Sequence, residues 1–163
     1  MSEDANPVYT ALEGASQYEH SLDQVIEKAQ REVRVFDQTL GSAFNSVRRA
    51  ETLRRFFLAS RRNRMRIVVH EPAHLDRNCP RLLTLLRTFS YAISIHETRP
   101  EAKLIYDPFV VADQSHFVHR FHFEGMHGMF ALDDPIGAQT LIERFEEIWE
   151  ASSPAVSATT LGL

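Results

Sequence analysis

The sequence is poor in cysteine and glycine and has no long apolar run, and each scarcity excludes a class of protein. With Cys79 as its single cysteine, the 163-residue chain can form neither an internal disulfide nor a thiolate metal cluster, which is typical of a reducing compartment. No apolar run approaches the ~20 residues of a membrane span, and residues 1–20 lack a basic region followed by an apolar core. We therefore expect a cytoplasmic protein without a membrane segment.

Two catalytic signatures are also missing. The six glycines form no phosphate-cradling loop, and no nucleophile elbow is present. The composition, 44% hydrophobic and 25% charged, is that of an ordinary globular protein, and the length fits one domain. A formal charge of −4 gives no overall reason to expect a polyanionic partner.

Hydrophobic periodicity predicts an α/β fold. Apolar residues at helical spacing indicate helices over 18–31, 44–60 and 80–89, and a last one in which Asp134 is the N-cap and Pro135 the first residue. Alternating or β-branched runs predict strands at 32–37, 65–71, 91–98, 103–107, 109–113 and 116–123. The alternation of strands and helices predicts parallel pairing in the first half, and the turn at 114–115 an antiparallel hairpin.

We therefore expect a mixed β-sheet with helices on both faces. One domain would span residues 18–152, between a mobile arm at 1–17 and a flexible tail at 153–163.

Four histidines cluster in "HFVHRFHFEGMH", residues 116–127. On a strand, His119 shares a face with the phenylalanines, whereas His116 and His122 point the other way. The latter two would lie about 20 Å apart, too far for one metal ion. We therefore predict neither a metal site nor a cofactor here.

An arginine-rich segment at 48–66 holds eight arginines against one acid, Glu51. The pattern is typical of the solvated face of an amphipathic helix. Alternatively, the segment forms a surface that contacts the phosphates of nucleic acid, since arginine binds phosphate well. No aromatic platform for stacking bases is interleaved with it. The residues assigned to phosphate contact are Arg48, Arg49, Arg54 and Arg55.

Other polar residues follow the second predicted strand. His70 and Glu71 end it, where open α/β sheets place ligands, and His74 and Asp76 come next. Cys79 lies near a predicted helix start, a position that lowers the pKa of a thiol, but without a defined partner we interpret it as structural or incidental. Each of these residues is also an ordinary loop or capping residue.

In its order of elements the chain resembles one half-domain of the phospholipase D superfamily. The resemblance covers residues 32–152 and is most specific in the ending "GMFALDDPIGAQTLIERFEEIWEAS". The family's chemistry depends on a His nucleophile, a Lys two positions on, an Asp five after that, and then a Gly-Ser and an Asn on the next strand. A second half or subunit supplies the acid.

Neither register of that motif places a His at the nucleophile position. Matching Lys103 to the family Lys puts Glu101 at the His position and Pro108 at the Asp position. Matching Asp113 to the family Asp puts Tyr106 and Pro108 at the His and Lys positions. The resemblance therefore implies a retained fold and a lost site.

The function expected from the resemblance is a non-catalytic binding or interaction module that forms a symmetric homodimer or binds a protein partner. The alternatives are a nucleic-acid-binding module that uses the arginine-rich helix, and a diverged phosphodiesterase in which His119 or His122 replaces the nucleophile. The weak catalytic candidates are His119, His122, Lys103 and Asp113.

Overall fold

The computed structural model describes residues 10–156, and these form one mixed sheet. Its order is β1-β7-β6-β5-β2-β3-β4-β8. The central pairs β2–β3 and β3–β4 are parallel, and all other pairs are antiparallel. The strands are β1 (Thr10–Leu12), β2 (Glu32–Asp37), β3 (Arg64–Val69), β4 (Ile93–Thr98), β5 (Phe109–Ala112), β6 (His116–Arg120), β7 (Gly128–Ala131) and β8 (Ser152–Val156).

Helices cover both faces of the sheet, as predicted. Helices α1, α2 and α4 pack on one face in a large apolar core, and α5 covers the other face in a second core around Phe145. The helices are α1 (Ala15–Lys28), α2 (Val47–Ala59), α3 (Leu75–Asn78), α4 (Pro80–Thr88) and α5 (Pro135–Glu150), with 3₁₀ turns at Ser42–Asn45 and Pro100–Ala102. None of the helices in residues 10–156 has the length and apolarity to cross a membrane.

Helix starts follow their capping residues. The Ser46 hydroxyl accepts a hydrogen bond from the Arg49 N–H at the start of α2. The Asp134 carboxylate accepts one from the Gly137 N–H at 3.0 Å, and Pro135 occupies the first position of α5, as predicted.

The prediction of a strand over 103–107 is wrong, because these residues form turns and an irregular connection. The Lys103 N–H donates to the Pro100 carbonyl and the Ile105 N–H to the Ala102 carbonyl, so turn bonds replace a sheet ladder. The segment connects the end of β4 to the start of β5. Because β3 and β2 lie between these strands, the segment runs along the edge of the sheet past both of them. The strand predicted over 116–123 ends at Arg120.

The ends of the chain are more ordered than predicted. Strand β1 pairs with β7, and α1 begins at Ala15, so residues 10–17 are not an arm. Strand β8 pairs with β4, which places residues 153–156 in the sheet rather than in a tail. The rest of the predicted arm and tail, residues 1–9 and 157–163, lies outside the described part of the chain.

Candidate functional site

One edge of the sheet collects the polar residues that the sequence left scattered. Parallel β2 and β3 both end here, at Asp37 and just before His70. Because β5 runs antiparallel to β2, its start lies beside Asp37 and brings Tyr106 close. Strand β6 ends at the same edge with Arg120, followed by His122.

Two adjoining clefts open at this carboxyl edge, each of about 330 Å³. Gln38 and Phe123 line both of them. The Asp37 cleft lies between α1, the segment after β2, and the β6–β7 loop. The Tyr106 cleft is lined in addition by His70, Glu71, Lys103, Tyr106, His122 and Glu124.

A buried ion pair forms the floor of the Asp37 cleft. Arg120 Nη2 lies 3.4 Å from both Asp37 carboxylate oxygens, and the Gln38 N–H donates to Asp37 Oδ1 at 2.7 Å. Burial raises the pKa of Asp37 to about 6, although Arg120 opposes this. The Tyr18 ring packs over the guanidinium, 4.9 Å from its carbon, and burial followed by the charge of Asp37 raises the pKa of the Tyr18 hydroxyl. The pair thus joins α1, β2 and β6.

His70 is a structural histidine. Its Nε2 lies 2.8 Å from the Ile105 carbonyl, which can only accept, so this nitrogen carries the proton. Its Nδ1 lies 2.7 Å from the Thr98 hydroxyl. Burial, and next the charge of Lys103, lower the pKa of His70. With both ring nitrogens engaged, His70 has no free position for proton transfer to a ligand.

The rim of the Tyr106 cleft is aromatic. The rings of Tyr106 and His122 stack with centroids 5.7 Å apart, and His122 Nδ1 accepts from the Glu124 N–H at 3.2 Å. Lys103 Nζ donates to the His70 carbonyl at 2.9 Å and remains exposed. Lys103 and His122 are thus the two weak catalytic candidates that reach this edge.

The other two candidates lie elsewhere. His119 faces α5, where its Nε2 is 2.8 Å from Asp107, which also pairs with Arg144. Asp113 occupies the β5–β6 turn with φ of 52° and accepts from the N–H groups of residues 30, 31 and 32 at 2.8 to 3.2 Å. These groups lie at the start of β2. Asp113 therefore fastens the β5–β6 hairpin at the edge of the sheet opposite the two clefts. The four candidates therefore do not form one constellation.

The arginines of α2 differ from one another. Arg48 is exposed and pairs with Glu27 at 2.9 Å, Arg54 pairs with Glu51 at 3.4 Å, and Arg55 reaches the Thr52 hydroxyl. The assignment of Arg49 to phosphate contact is wrong, because its side chain is only 4% exposed. Its guanidinium binds α1 residues and the Ala43 carbonyl, which withdraws it from any phosphate.

Cys79 is also buried. Its thiol donates to the Leu40 carbonyl at 2.9 Å, and burial followed by the charge of Asp37 raises its pKa to about 12. The helix start therefore does not lower the pKa of this thiol, because desolvation outweighs the effect of the helix end.

Solved structures share this arrangement of elements. Nuc, a phospholipase D family member from Salmonella typhimurium, matches with a TM-score of 0.66 and 13% identity over 93% of this chain and 100% of Nuc. NucT from Helicobacter pylori matches with a TM-score of 0.56 and 11% identity, over 90% of this chain and 98% of NucT. The fold is therefore phospholipase D-like, as the sequence predicted.

TrmBL2, an archaeal chromatin protein that binds DNA, matches with a TM-score of 0.68 and 12% identity over 93% of this chain. This chain spans 56% of the length of TrmBL2. No curated protein matches the sequence. The family described as "Domain of unknown function (DUF7931)" matches residues 14–161, and the chain belongs to this family.

Proposed function

We propose that this protein is a non-catalytic binding module with a phospholipase D-like fold, whose ligand or partner binds at the carboxyl edge. One observation carries the proposal: in the register that matches Asp113, the nucleophile position is Tyr106, whose ring stacks on His122. The Asp113 register is favoured because the family Asp is followed directly by another strand. Asp113 lies in the turn between β5 and β6 and so has the matching position. A cytoplasmic location stays a prediction from the cysteine content.

The chemistry of the cleft disfavours phosphodiester hydrolysis. A phenol at Tyr106 is a poor substitute for imidazole toward an anionic phosphorus centre, and Pro108 provides no cation where the family has lysine. Glu71 and Glu124 line the same cleft and outnumber its one lysine, Lys103, so the charge of the cleft does not favour a phosphodiester anion.

The alternative, a diverged phosphodiesterase, would need His119 or His122 as nucleophile. His119 is on the α5 side and bound to Asp107, whereas His122 is exposed at the rim. The pair therefore cannot act on one phosphorus atom as nucleophile and acid within a single chain.

We expect no turnover of bis(p-nitrophenyl) phosphate above the buffer rate, and no phosphohistidine when the reaction is quenched and examined by mass spectrometry. An active phospholipase D-like nuclease serves as the positive control. Turnover that is abolished by His122→Ala or by His119→Ala would overturn the proposal in favour of the diverged enzyme.

We further propose that two chains pair at the carboxyl edge, where the resemblance places the contact between family halves. Three large apolar side chains are exposed there: Leu104 by 75%, Tyr106 by 46% and Phe121 by 55%. Large apolar side chains exposed at one edge of a sheet favour a protein contact there.

Sedimentation velocity is expected to show a dimer for the native chain and a monomer for Leu104→Glu/Phe121→Glu, because a charge at each position must be desolvated in the interface. Ile136→Glu is the control: Ile136 is 85% exposed at the start of α5, and its substitution should leave the dimer intact. A native monomer, or a dimer unaffected by the double substitution, would remove the proposed contact.

A further inference from the structure

Four arginines and a tyrosine meet at the edge of the sheet opposite the clefts. Because β2, β3 and β4 are adjacent and parallel, the turns that precede them lie side by side. The turn before β2 contributes Arg31, and the turn before β4 contributes Tyr91. The turn before β3 contributes Arg61 and Arg62, and Arg64 is the first residue of β3. The Arg64 N–H donates to the Arg31 carbonyl at 3.0 Å, which joins the first two turns. We call these five residues the amino-edge patch.

The charge of the patch is not neutralised within the described chain. Among residues 10–156, none of its four arginines has a carboxylate within ion-pair distance. Two acids lie close to the patch, and both have other partners. Asp113 accepts three backbone N–H groups, and Glu32 pairs with Arg34 and Arg66. The patch therefore keeps a concentrated positive charge on a chain whose formal charge is −4.

Two of the four guanidinium groups, those of Arg61 and Arg64, are held in place. They lie 5.0 and 5.6 Å, respectively, from the centroid of the Tyr91 ring. Arg64 Nη1 also donates to the carbonyls of Arg61 and Asn63, at 2.6 and 3.0 Å. A guanidinium stacked on an aromatic ring still has donors in its own plane, and fixing it beforehand reduces the entropy lost when it binds an anion.

We propose that the amino-edge patch binds the sugar–phosphate backbone of nucleic acid. All four cations are arginines, whose forked donors match phosphate oxygens. Three neighbouring strands at about 4.8 Å spacing span about 10 Å. One DNA strand carries about three phosphates over that length of helix axis. This surface is independent of the carboxyl-edge clefts, and neither proposal depends on the other.

The patch differs from the surface that the sequence suggested on α2. There Arg49 is buried, and Arg48 and Arg54 have glutamate partners. The patch uses the arginines that follow α2, and the fold adds Arg31 and Tyr91 from other turns.

The test is the affinity of the full chain for a fluorescein-labelled DNA duplex of about 20 base pairs, measured by anisotropy from about 50 to 200 mM salt. Arg61→Gln/Arg62→Gln is expected to weaken binding about 10-fold at the lowest salt and to reduce the slope of log Kd against log salt by about 2. Both side chains are exposed, and neither makes an ion pair in residues 10–156. Only the exposed contact of Arg61 with Tyr91 is lost, so the melting temperature should fall by no more than a few degrees.

The matched control is Arg48→Gln/Arg54→Gln, which removes the same charge from exposed arginines of α2 and should change Kd less than about 2-fold. No binding at the lowest salt would overturn the proposal, and so would equal losses in the two double variants. Polyglutamate that competes as well as unlabelled DNA at equal charge would also overturn it, and would indicate an acidic protein as the partner instead.

Discussion

Replacing Arg49 by alanine is expected to lower the free energy of unfolding by about 3–5 kcal/mol, because it leaves the largely buried Asp23 carboxylate without its nearer partner. Arg49 Nε lies 3.0 Å from Asp23 Oδ1, and the Asp23 side chain is only 11% exposed. The guanidinium also donates to the carbonyls of Ala43 and Glu19, at 2.9 and 3.0 Å. It thus fastens α1, α2 and the turn before α2.

The adjacent Arg48 provides the matched control. Its side chain is 64% exposed, and its contacts with Glu27 and Asp23 are solvated, so Arg48→Ala should have a far smaller effect. Urea denaturation followed by circular dichroism measures both. Arg49→Met/Asp23→Leu removes both charges and should recover much of the loss. Similar effects of Arg48→Ala and Arg49→Ala would show that the buried ion pair has no special role in stability.

The contrast between these neighbours shows where sequence reasoning failed within α2. Both interpretations of the arginine-rich segment require Arg49 to be exposed. Arg49, Leu53 and Phe57 nevertheless follow one another at four-residue spacing, and all lie on the buried face. The helical periodicity thus indicated that Arg49 is buried, but its charge suggested that it is exposed. What the sequence alone does not contain is the acid on α1 that makes the burial tolerable.

The central part of the fold was predictable because its strands carry strong local patterns. Strands β2 and β3 are buried β-branched runs, and their parallel pairing follows from the helix between them. Strands β1, β7 and β8 were missed. Each has three to five residues and forms through pairing with a partner distant in sequence, or, for β7, with both β1 and β6.

The candidate sites were less predictable, because both depend on which turns meet at an edge. Tyr106 and Arg120 reach the Asp37 end of β2 only because β5 runs antiparallel to β2 and β6 runs antiparallel to β5. Tyr91 reaches Arg61 and Arg64 only because β3 and β4 are neighbours. The two aromatic residues of the arginine-rich segment, Phe56 and Phe57, are buried in the core, and the fold supplied the tyrosine from another turn.

The histidine cluster at residues 116–127 was predictable only as far as strand β6 extends. Phe117 and His119 face α5, whereas Val118 packs in the core on the other side, so the alternation predicted along β6 is confirmed there. Beyond Arg120 the strand ends, and His122 lies on the rim of the Tyr106 cleft. The histidines are thus distributed over separate environments.

The stability of the protein is expected to fall as pH rises from about 4 to about 7 through the titration of Asp37. Its folded pKa of about 6 lies above the usual value of 3.8, because the carboxyl is buried. A group with a raised folded pKa stabilises the fold fully only below its unfolded pKa, and this contribution is lost as pH rises through the folded value. The difference corresponds to about 3 kcal/mol.

Comparison with Asp37→Asn isolates this contribution, since every other titrating group is common to the two proteins. The free energy of unfolding of the native chain, measured by urea denaturation, should fall between pH 4 and pH 7 by about 3 kcal/mol more than that of the variant. The ion pair with Arg120 lowers the pKa of Asp37 and acts against burial. If this pairing dominated, the native chain would instead gain stability relative to the variant as pH rises. The sign of the difference therefore decides whether burial or the Arg120 charge controls the floor of the Asp37 cleft.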